Sequence, residues 1–321
     1  MSTLIESHLT AGAPRTLADD VLDGLTRPFK ELPPKHLYDA RGSELFEAIT
    51  ELPEYYPTRA ERRILEDHAG TIVGDAAELV ELGAGSGIKT RLMLDTGRLH
   101  RYVPFDVSEN ALTECADALG VDYPHIKIHG IVGDFERHLS RIPPAVPGEP
   151  RLLAFLGGTI GNFTPGSRRR FLRTLAGALG PGDRLLLGTD LVKDPDVIEA
   201  AYNDSQGVTA EFNLNVLHIL NRELGADFPV ERFEHVAFFD REHEWIEMRL
   251  RATRDMTVRI EALDLDVRFR RGEEMRTEIS AKFTRERIEA DFASAGLVLD
   301  SFLTDPQSLF ALTTSRPAGA S

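Results

Sequence analysis

The stretch Val80-Glu81-Leu82-Gly83-Ala84-Gly85-Ser86-Gly87 constrains this chain more than any other. An apolar strand runs into glycine at every second position, and a helix-like segment, Lys89 to Asp95, follows at once. Such a strand–turn–helix lets a ligand approach the backbone where a side chain would block it. It predicts a nucleotide-like cofactor held at the end of a strand.

The pattern continues on both sides. Short apolar runs predict strands at 78–82, 101–107, 126–132, 151–156 and 183–188, buried on both faces like parallel strands. Helices are expected at 88–95, 108–119 and 167–179, with Ser108 and Ser167 as N-caps and Gly120 and Gly180 as stops. This is an α/β, doubly wound, Rossmann-like pattern. Before it, residues 1–60 read as helices and loops. A first helix spans Thr16–Leu25, a second Ser43–Thr50, and a third runs from a Thr58 cap to about Gly70. After Lys193 come helices at 195–203 and 208–224. Strands follow at about 235–240, 244–252, 255–262, 265–270 and 274–283, an antiparallel meander. A helix at 284–295 and strands at 297–304 and 308–315 return to complete the first sheet. The expected domains are therefore 61–195 with 284–321 for the cofactor, an inserted α+β substrate domain at 196–283, and an N-terminal segment, 1–60, packing with the latter.

Net charge is −15, with no block of lysine or arginine, which argues against nucleic acid or an anionic membrane as partner. Arg168-Arg169-Arg170 reads as the solvated start of a helix. Cys115 is the only cysteine, so no internal disulfide and no cysteine zinc cluster can form; its helical setting suggests a small core residue. No metal is expected. Met1–Arg15 lacks a signal-peptide pattern and no apolar run approaches the roughly 18 residues of a membrane span. The expectation is a cytoplasmic monomer acting on small molecules.

The dinucleotide fingerprint G-x-G-x-x-G is absent, because Gly83, Gly85 and Gly87 are spaced two apart, and the acid Glu81 precedes them. A pyrophosphate disfavours a nearby carboxylate. S-adenosylmethionine has no phosphate and carries a sulfonium and an ammonium, so it tolerates one. Asp106 ends the second strand and can accept both ribose hydroxyls; Asp134 and Phe135 follow the third and can serve the adenine. Gly157-Gly158 follows the fourth, where a bulkier residue would crowd the cofactor. Lys89 can meet the cofactor carboxylate. Each piece alone has a plainer reading: a turn aspartate, a core phenylalanine, a solvated lysine. Together they resemble a class I S-adenosylmethionine-dependent methyltransferase, and the final two strands fit the antiparallel hairpin that this class implies.

On the strand 274–283, Glu278 and Ser280 are two apart and point together, about 7 Å between backbone origins. A carboxylate and a hydroxyl so placed can bracket a ring with two nitrogens; a solvated strand face is the plainer reading. Wider motifs, Leu32-Pro33-Pro34-Lys35-His36-Leu37-Tyr38-Asp39, Leu52-Pro53-Glu54-Tyr55-Tyr56-Pro57-Thr58-Arg59, Phe155-Leu156-Gly157-Gly158-Thr159-Ile160-Gly161-Asn162, Gly188-Thr189-Asp190-Leu191-Val192-Lys193-Asp194 and Gly272-Glu273-Glu274-Met275-Arg276-Thr277-Glu278, resemble the histidine Nα-methyltransferases of ergothioneine biosynthesis, from about residue 18 to 315.

That resemblance implies trimethylation of the α-amine of L-histidine to hercynine, through mono- and dimethyl intermediates. It implies that Tyr55 and Tyr202 hold the substrate carboxylate and that Asn162 orients the amine, with Tyr38 close by. Glu278 and Ser280 would read the imidazole, with Met248 lining the same pocket. Gly83, Lys89, Asp106, Asp134 and Phe135 fall on cofactor positions, with Gly157 near the cofactor or amine. The chain departs from the family pattern at His36-Leu37, where a bulky aromatic pair is expected, and at Ser301-Phe302-Leu303-Thr304-Asp305, which lacks a tryptophan pair. The nearest competing reading is an N-methyltransferase of another amino acid or aromatic amine; an NAD-dependent oxidoreductase and a non-catalytic S-adenosylmethionine-binding scaffold are more distant. Methyl transfer from a sulfonium needs alignment more than acid–base power, so no obligatory strong base is expected.

Overall fold

The structure is a computed structural model that describes residues 3–8, 16–85 and 87–319. Ser86 of the glycine turn, most of the 1–15 segment, and Ala320–Ser321 lie outside the described residues. The chain divides into two compact units, one of Met1–Ala11, Pro57–Leu191 and Phe283–Ser321, the other of Gly12–Tyr56 and Val192–Lys282.

The first unit is built on an eight-stranded sheet. Its order is Leu4–Ser7, Lys127–Val132, Arg101–Asp106, Glu78–Leu82, Arg151–Phe155, Arg184–Asp190, Phe310–Pro317, Leu297–Thr304. The first six strands are parallel; Phe310–Pro317 runs antiparallel to both neighbours. Glu78–Leu82 and Arg151–Phe155 are buried along their whole length, as strands covered on both faces must be. Leu79, Leu152, Ala154, Leu186 and Leu312 meet Ile64, Leu65 and Ile72 of the helix Tyr56–Val73 in one core cluster. Strand order reverses beside Glu78–Leu82, because the chain leaves it first toward Arg101–Asp106 and later crosses back to Arg151–Phe155. Ligands of open α/β sheets bind at the carboxyl ends of strands at such a switch point.

Leu4–Ser7 was not foreseen as a strand: four residues with two apolar side chains carry little periodicity, yet Ile5 packs on the core cluster. Helix ends differ at several places. The third helix begins at Tyr56 with Pro57 in its first turn, so Thr58 lies inside it rather than capping it. Thr164 is the N-cap of Pro165–Gly177, and Ser167 sits in the first turn, bonded to Thr164. The helix Glu109–Asp122 runs through Gly120, while Ser108 caps it as expected. Gly180 lies beyond its helix and donates to Asp183 at 2.8 Å. Arg168 is not solvated: it is buried, bonds Asp291 at 2.7 Å and lies 5.0 Å over the Phe283 ring, because its side of the helix packs on Arg285–Ser294.

The second unit carries a four-stranded sheet in the order Lys30–Glu31, Glu274–Ala281, Trp245–Ala252, Phe233–Asp240. The expected meander is interrupted. Met256–Ile260 and Leu265–Phe269 form a separate hairpin, and Glu274–Ala281 returns to pair with Trp245–Ala252. Alternation records which face a residue takes, not which strand it meets. Helices Pro195–Tyr202 and Val208–Leu224 pack on this sheet, and Ala40–Thr50 packs on the latter helix.

Candidate active site

In the first unit, every predicted cofactor residue lies at or just past the carboxyl end of a strand or in the first turn of the next helix. Gly83 and Gly85 have φ of +77° and +52°, and a Cβ added to either would meet nothing within 4 Å. The backbone demands glycine there, and the space above the turn is open. Gly87 differs: a Cβ would lie 2.7 Å from the Cys115 sulfur. Cys115 is thus packing beneath the turn, and burial pushes its thiol up to about 11.

Asp106 Oδ2 accepts the Gly85 N–H at 3.3 Å and Oδ1 accepts that of Ser108 at 2.9 Å. Burial raises its pKa despite those bonds. Glu81, the acid before the glycines, is buried and accepts from Thr90 at 2.6 Å and Tyr102 at 2.8 Å. Burial raises its pKa too. It ties the strand to the next helix and strand. Asp134 opens the helix Phe135–His138 and lies 3.6 Å from Arg137. Phe135 is half-buried, edge-on to Phe155 at 5.3 Å between centroids.

Lys89 pairs with Glu61, which the sequence did not single out. Glu61 is fully buried and accepts the Gly157 N–H at 2.8 Å. A Cβ at Gly157 would stand 3.7 Å from the Lys89 ammonium. A Cβ at Gly188 would come 2.3 Å from Glu61 Oε1, which explains glycine there. Mid-helix, Glu61 looks like any surface glutamate; only burial marks it. Asn162 ends the turn Thr159–Asn162 and is half-buried, with no hydrogen bond from its carboxamide to the described residues. Open turn, acidic strand end, ammonium and half-covered ring suit a ligand with hydroxyls, a carboxylate and an aromatic base.

The second unit assembles Tyr38, Tyr55, Tyr202, Glu278 and Ser280. The register of Glu274–Ala281 shifts between Arg276, opposite Arg249, and Glu278, opposite Met248. Strict alternation would put Arg276 and Glu278 on one face. The extra residue, Thr277, turns Glu278 to the face of Met248 instead. Arg276 stays with Glu247 and Glu31 on the other side. Glu278 and Ser280 then point together as expected, both buried. The solvated-face alternative is excluded.

Lys282, two residues further on, completes the row and was missed. It is fully buried, and its ammonium donates to Ser280 Oγ at 3.0 Å and Tyr202 Oη at 3.1 Å. The lysine occupies a lone pair of each hydroxyl, which leaves the Ser280 hydrogen for a ligand. The Tyr55 and Tyr202 rings meet edge-on at 6.3 Å. Tyr38 packs edge-on between Phe46 and Phe212 at 5.5 and 5.3 Å. The residue is 40% exposed, yet its phenol feels the buried surroundings and the Glu278 charge. Burial, and then the Glu278 charge, push that phenol well above its ordinary range. His36, one of the two departures, bonds Asp20 at 2.9 Å and is structural.

The Glu278 carboxylate accepts no hydrogen bond from the described residues. Burial raises its pKa to about 7, with Lys282 pulling the other way. Between pH 4.5 and 7 the unfolded chain releases this proton and the folded chain keeps it, so stability falls as pH rises through that window. Glu278→Gln is therefore expected to stabilise the protein by about 3 kcal/mol at pH 8, a gain that shrinks to a fraction at pH 5. Thermal melts at the two pH values check this; an equal shift at both would contradict a strained carboxylate.

A profile of histidine-specific, S-adenosylmethionine-dependent methyltransferases matches residues 17–317. The chain is 50% identical to a histidine N-alpha-methyltransferase of Mycolicibacterium smegmatis and 49% to that of Mycobacterium tuberculosis. Each match covers 98% of this chain and 99% of the relative. It is 33% identical to ergothioneine biosynthesis protein 1 of Neurospora crassa, over 84% of this chain and 31% of that one. With its glycine turn, its strand order and a match over nearly its full length, this chain belongs to the histidine-specific, S-adenosylmethionine-dependent methyltransferase family.

Proposed function

We propose that this chain methylates the α-amine of L-histidine with S-adenosylmethionine, three times in succession, to give hercynine for ergothioneine biosynthesis. The observation that carries the reading is Glu278, a buried carboxylate left without a hydrogen bond and held beside Ser280 on one strand face. A buried carboxylate with no donor from the described residues is a place where a ligand N–H gains a partner.

In this reading the unit with Pro57–Leu191 and Phe283–Ser321 holds the methyl donor, and the unit with Val192–Lys282 holds histidine. Gly83 would lie against the donor, Asp106 would accept from its ribose, and Asp134 and Phe135 would serve the adenine. Lys89 would meet its carboxylate near Gly157. The donor, when bound, supplies a methyl group on a sulfonium, which is a good leaving group.

The chain's own residues then orient and discriminate. Tyr55 and Tyr202 hold the substrate carboxylate. Glu278 accepts one imidazole N–H. Ser280, its oxygen already occupied by Lys282, donates to the other ring nitrogen, so the site selects the neutral imidazole. Asn162 holds the amine without charge, which leaves its lone pair available. A positive neighbour lowers the amine's pKa, so the proton leaves before each transfer without a strong base. Tyr38, with its pKa raised, stays a phenol and passes a proton on rather than storing it. Both substrates are small and soluble, which fits work in the cytoplasm as a monomer without a resident metal. No helix among the described residues is long and apolar enough to cross a membrane.

A competition tests the assignment. With equal histidine, tryptophan, tyrosine and phenylalanine, histidine is expected to take the methyl groups by at least about a hundredfold in kcat/KM. Preference for another amino acid would transfer the activity to the competing reading.

A further inference from the structure

Resting on that assignment of Tyr202 and Glu278, we infer that Thr277, Asn213 and His235 form a hydrogen-bonded positioning relay that fixes the two recognition points for histidine relative to each other. Thr277 is the extra residue of the register shift that turns Glu278 toward the site. Its hydroxyl donates to Asn213 Oδ1 at 2.6 Å, with the Met248 carbonyl a second, longer acceptor at 3.1 Å. Asn213 Nδ2 reaches the Arg249 carbonyl at 3.1 Å and His235 Nδ1 at 2.9 Å. His235 Nε2 lies 2.9 Å from the Tyr202 carbonyl.

The fixed acceptors along this chain set its polarity, with the shorter of the two Thr277 contacts taking the proton. Carbonyls only accept, so Asn213 must aim its NH2 at Arg249, and its oxygen then takes the Thr277 proton. The second amide hydrogen goes to His235 Nδ1, which must be unprotonated. His235 therefore carries its hydrogen on Nε2 and donates it to Tyr202. Burial, which lowers the His235 pKa, keeps the ring neutral. Thr277 and Asn213 are 1% and 0% exposed, so no water replaces a lost partner cheaply.

The ends of the relay give it a function. Tyr202 is the last residue of its helix, where carbonyls take partners from outside the helix. His235 satisfies it and so fixes where the Tyr202 ring begins. At the other end, Thr277 holds the displaced strand residue on which the direction of Glu278 depends. The relay thus sets the span between the carboxylate-holding tyrosine and the ring-reading glutamate. These three are positioning residues, and none touches substrate.

Thr277→Val keeps the shape and loses the hydroxyl; Thr277→Ser keeps the hydroxyl. For Thr277→Val we expect KM for histidine to rise about tenfold, the histidine-to-phenylalanine ratio of kcat/KM to fall in parallel, and KM for S-adenosylmethionine to stay within about twofold. Thr277→Ser should recover most of the loss. An unchanged KM and ratio in Thr277→Val, or equal damage in Thr277→Ser, overturns the relay. Should Thr277→Val fail to fold, nitrogen NMR of histidine-labelled wild type decides. The Nε2–H tautomer of His235 at pH 7, with signals that move when histidine is added, is expected; the Nδ1–H tautomer overturns it. Wild type that leaves histidine unmethylated would refute the proposed function, while the tautomer still reports on the relay.

Discussion

Glu278→Ala is expected to lower kcat/KM for histidine by at least about a hundredfold. A hydrogen bond to a charged acceptor contributes about 1.5–3 kcal/mol, and a buried N–H stripped of its acceptor adds about 1–3 kcal/mol. Sites built to bond a polar group of the substrate discriminate by about 10⁴ when that bond is lost, because the buried partner stays unpaired. Unfolding does not account for the loss, since the carboxylate is strained in the free protein and its neutral replacement by glutamine is expected to stabilise the fold at pH 8. Steady-state rates over a range of histidine check it. Near-normal rates would remove Glu278 from the imidazole site.

Asp106→Ala is expected to weaken S-adenosylmethionine binding by at least about tenfold in calorimetry. Two effects add. The ribose loses a charged acceptor. The Gly85 and Ser108 N–H groups lose the carboxylate that holds the turn and opens the next helix. An unchanged affinity would sink the ribose assignment and leave Asp106 as a turn residue.

Much of the fold was legible because the two periods are local. Glu78–Leu82, Pro195–Tyr202 and Val208–Leu224 fall within a residue of their expected bounds. Partners were harder to read. Nothing in Met256–Phe269 says that its two strands pair with each other rather than with the four-stranded sheet, and nothing in Leu4–Ser7 announces an edge strand. The same division holds for the site. Gly83 and Gly85 were readable because positive φ demands glycine, and Glu278 with Ser280 because strand spacing joins them. Glu61 and Lys282 were not, because a buried charge is identified by what surrounds it. Glu81 shows another side of this: its place before the glycines marks an acid near the turn, and only the fold shows that Thr90 and Tyr102 bond it. Alternation also placed Glu278 beside Arg276; the register shift at Thr277 separates them.

The proposed reaction is trimethylation of histidine at its α-nitrogen. Mass spectrometry of histidine incubated with the purified protein and S-adenosylmethionine tests it most directly, with fragmentation to locate the added groups. The expected product is heavier by three methyl groups, all on the α-nitrogen, preceded by species with one and two. Unmodified histidine, or methyl groups on the imidazole ring, would contradict it.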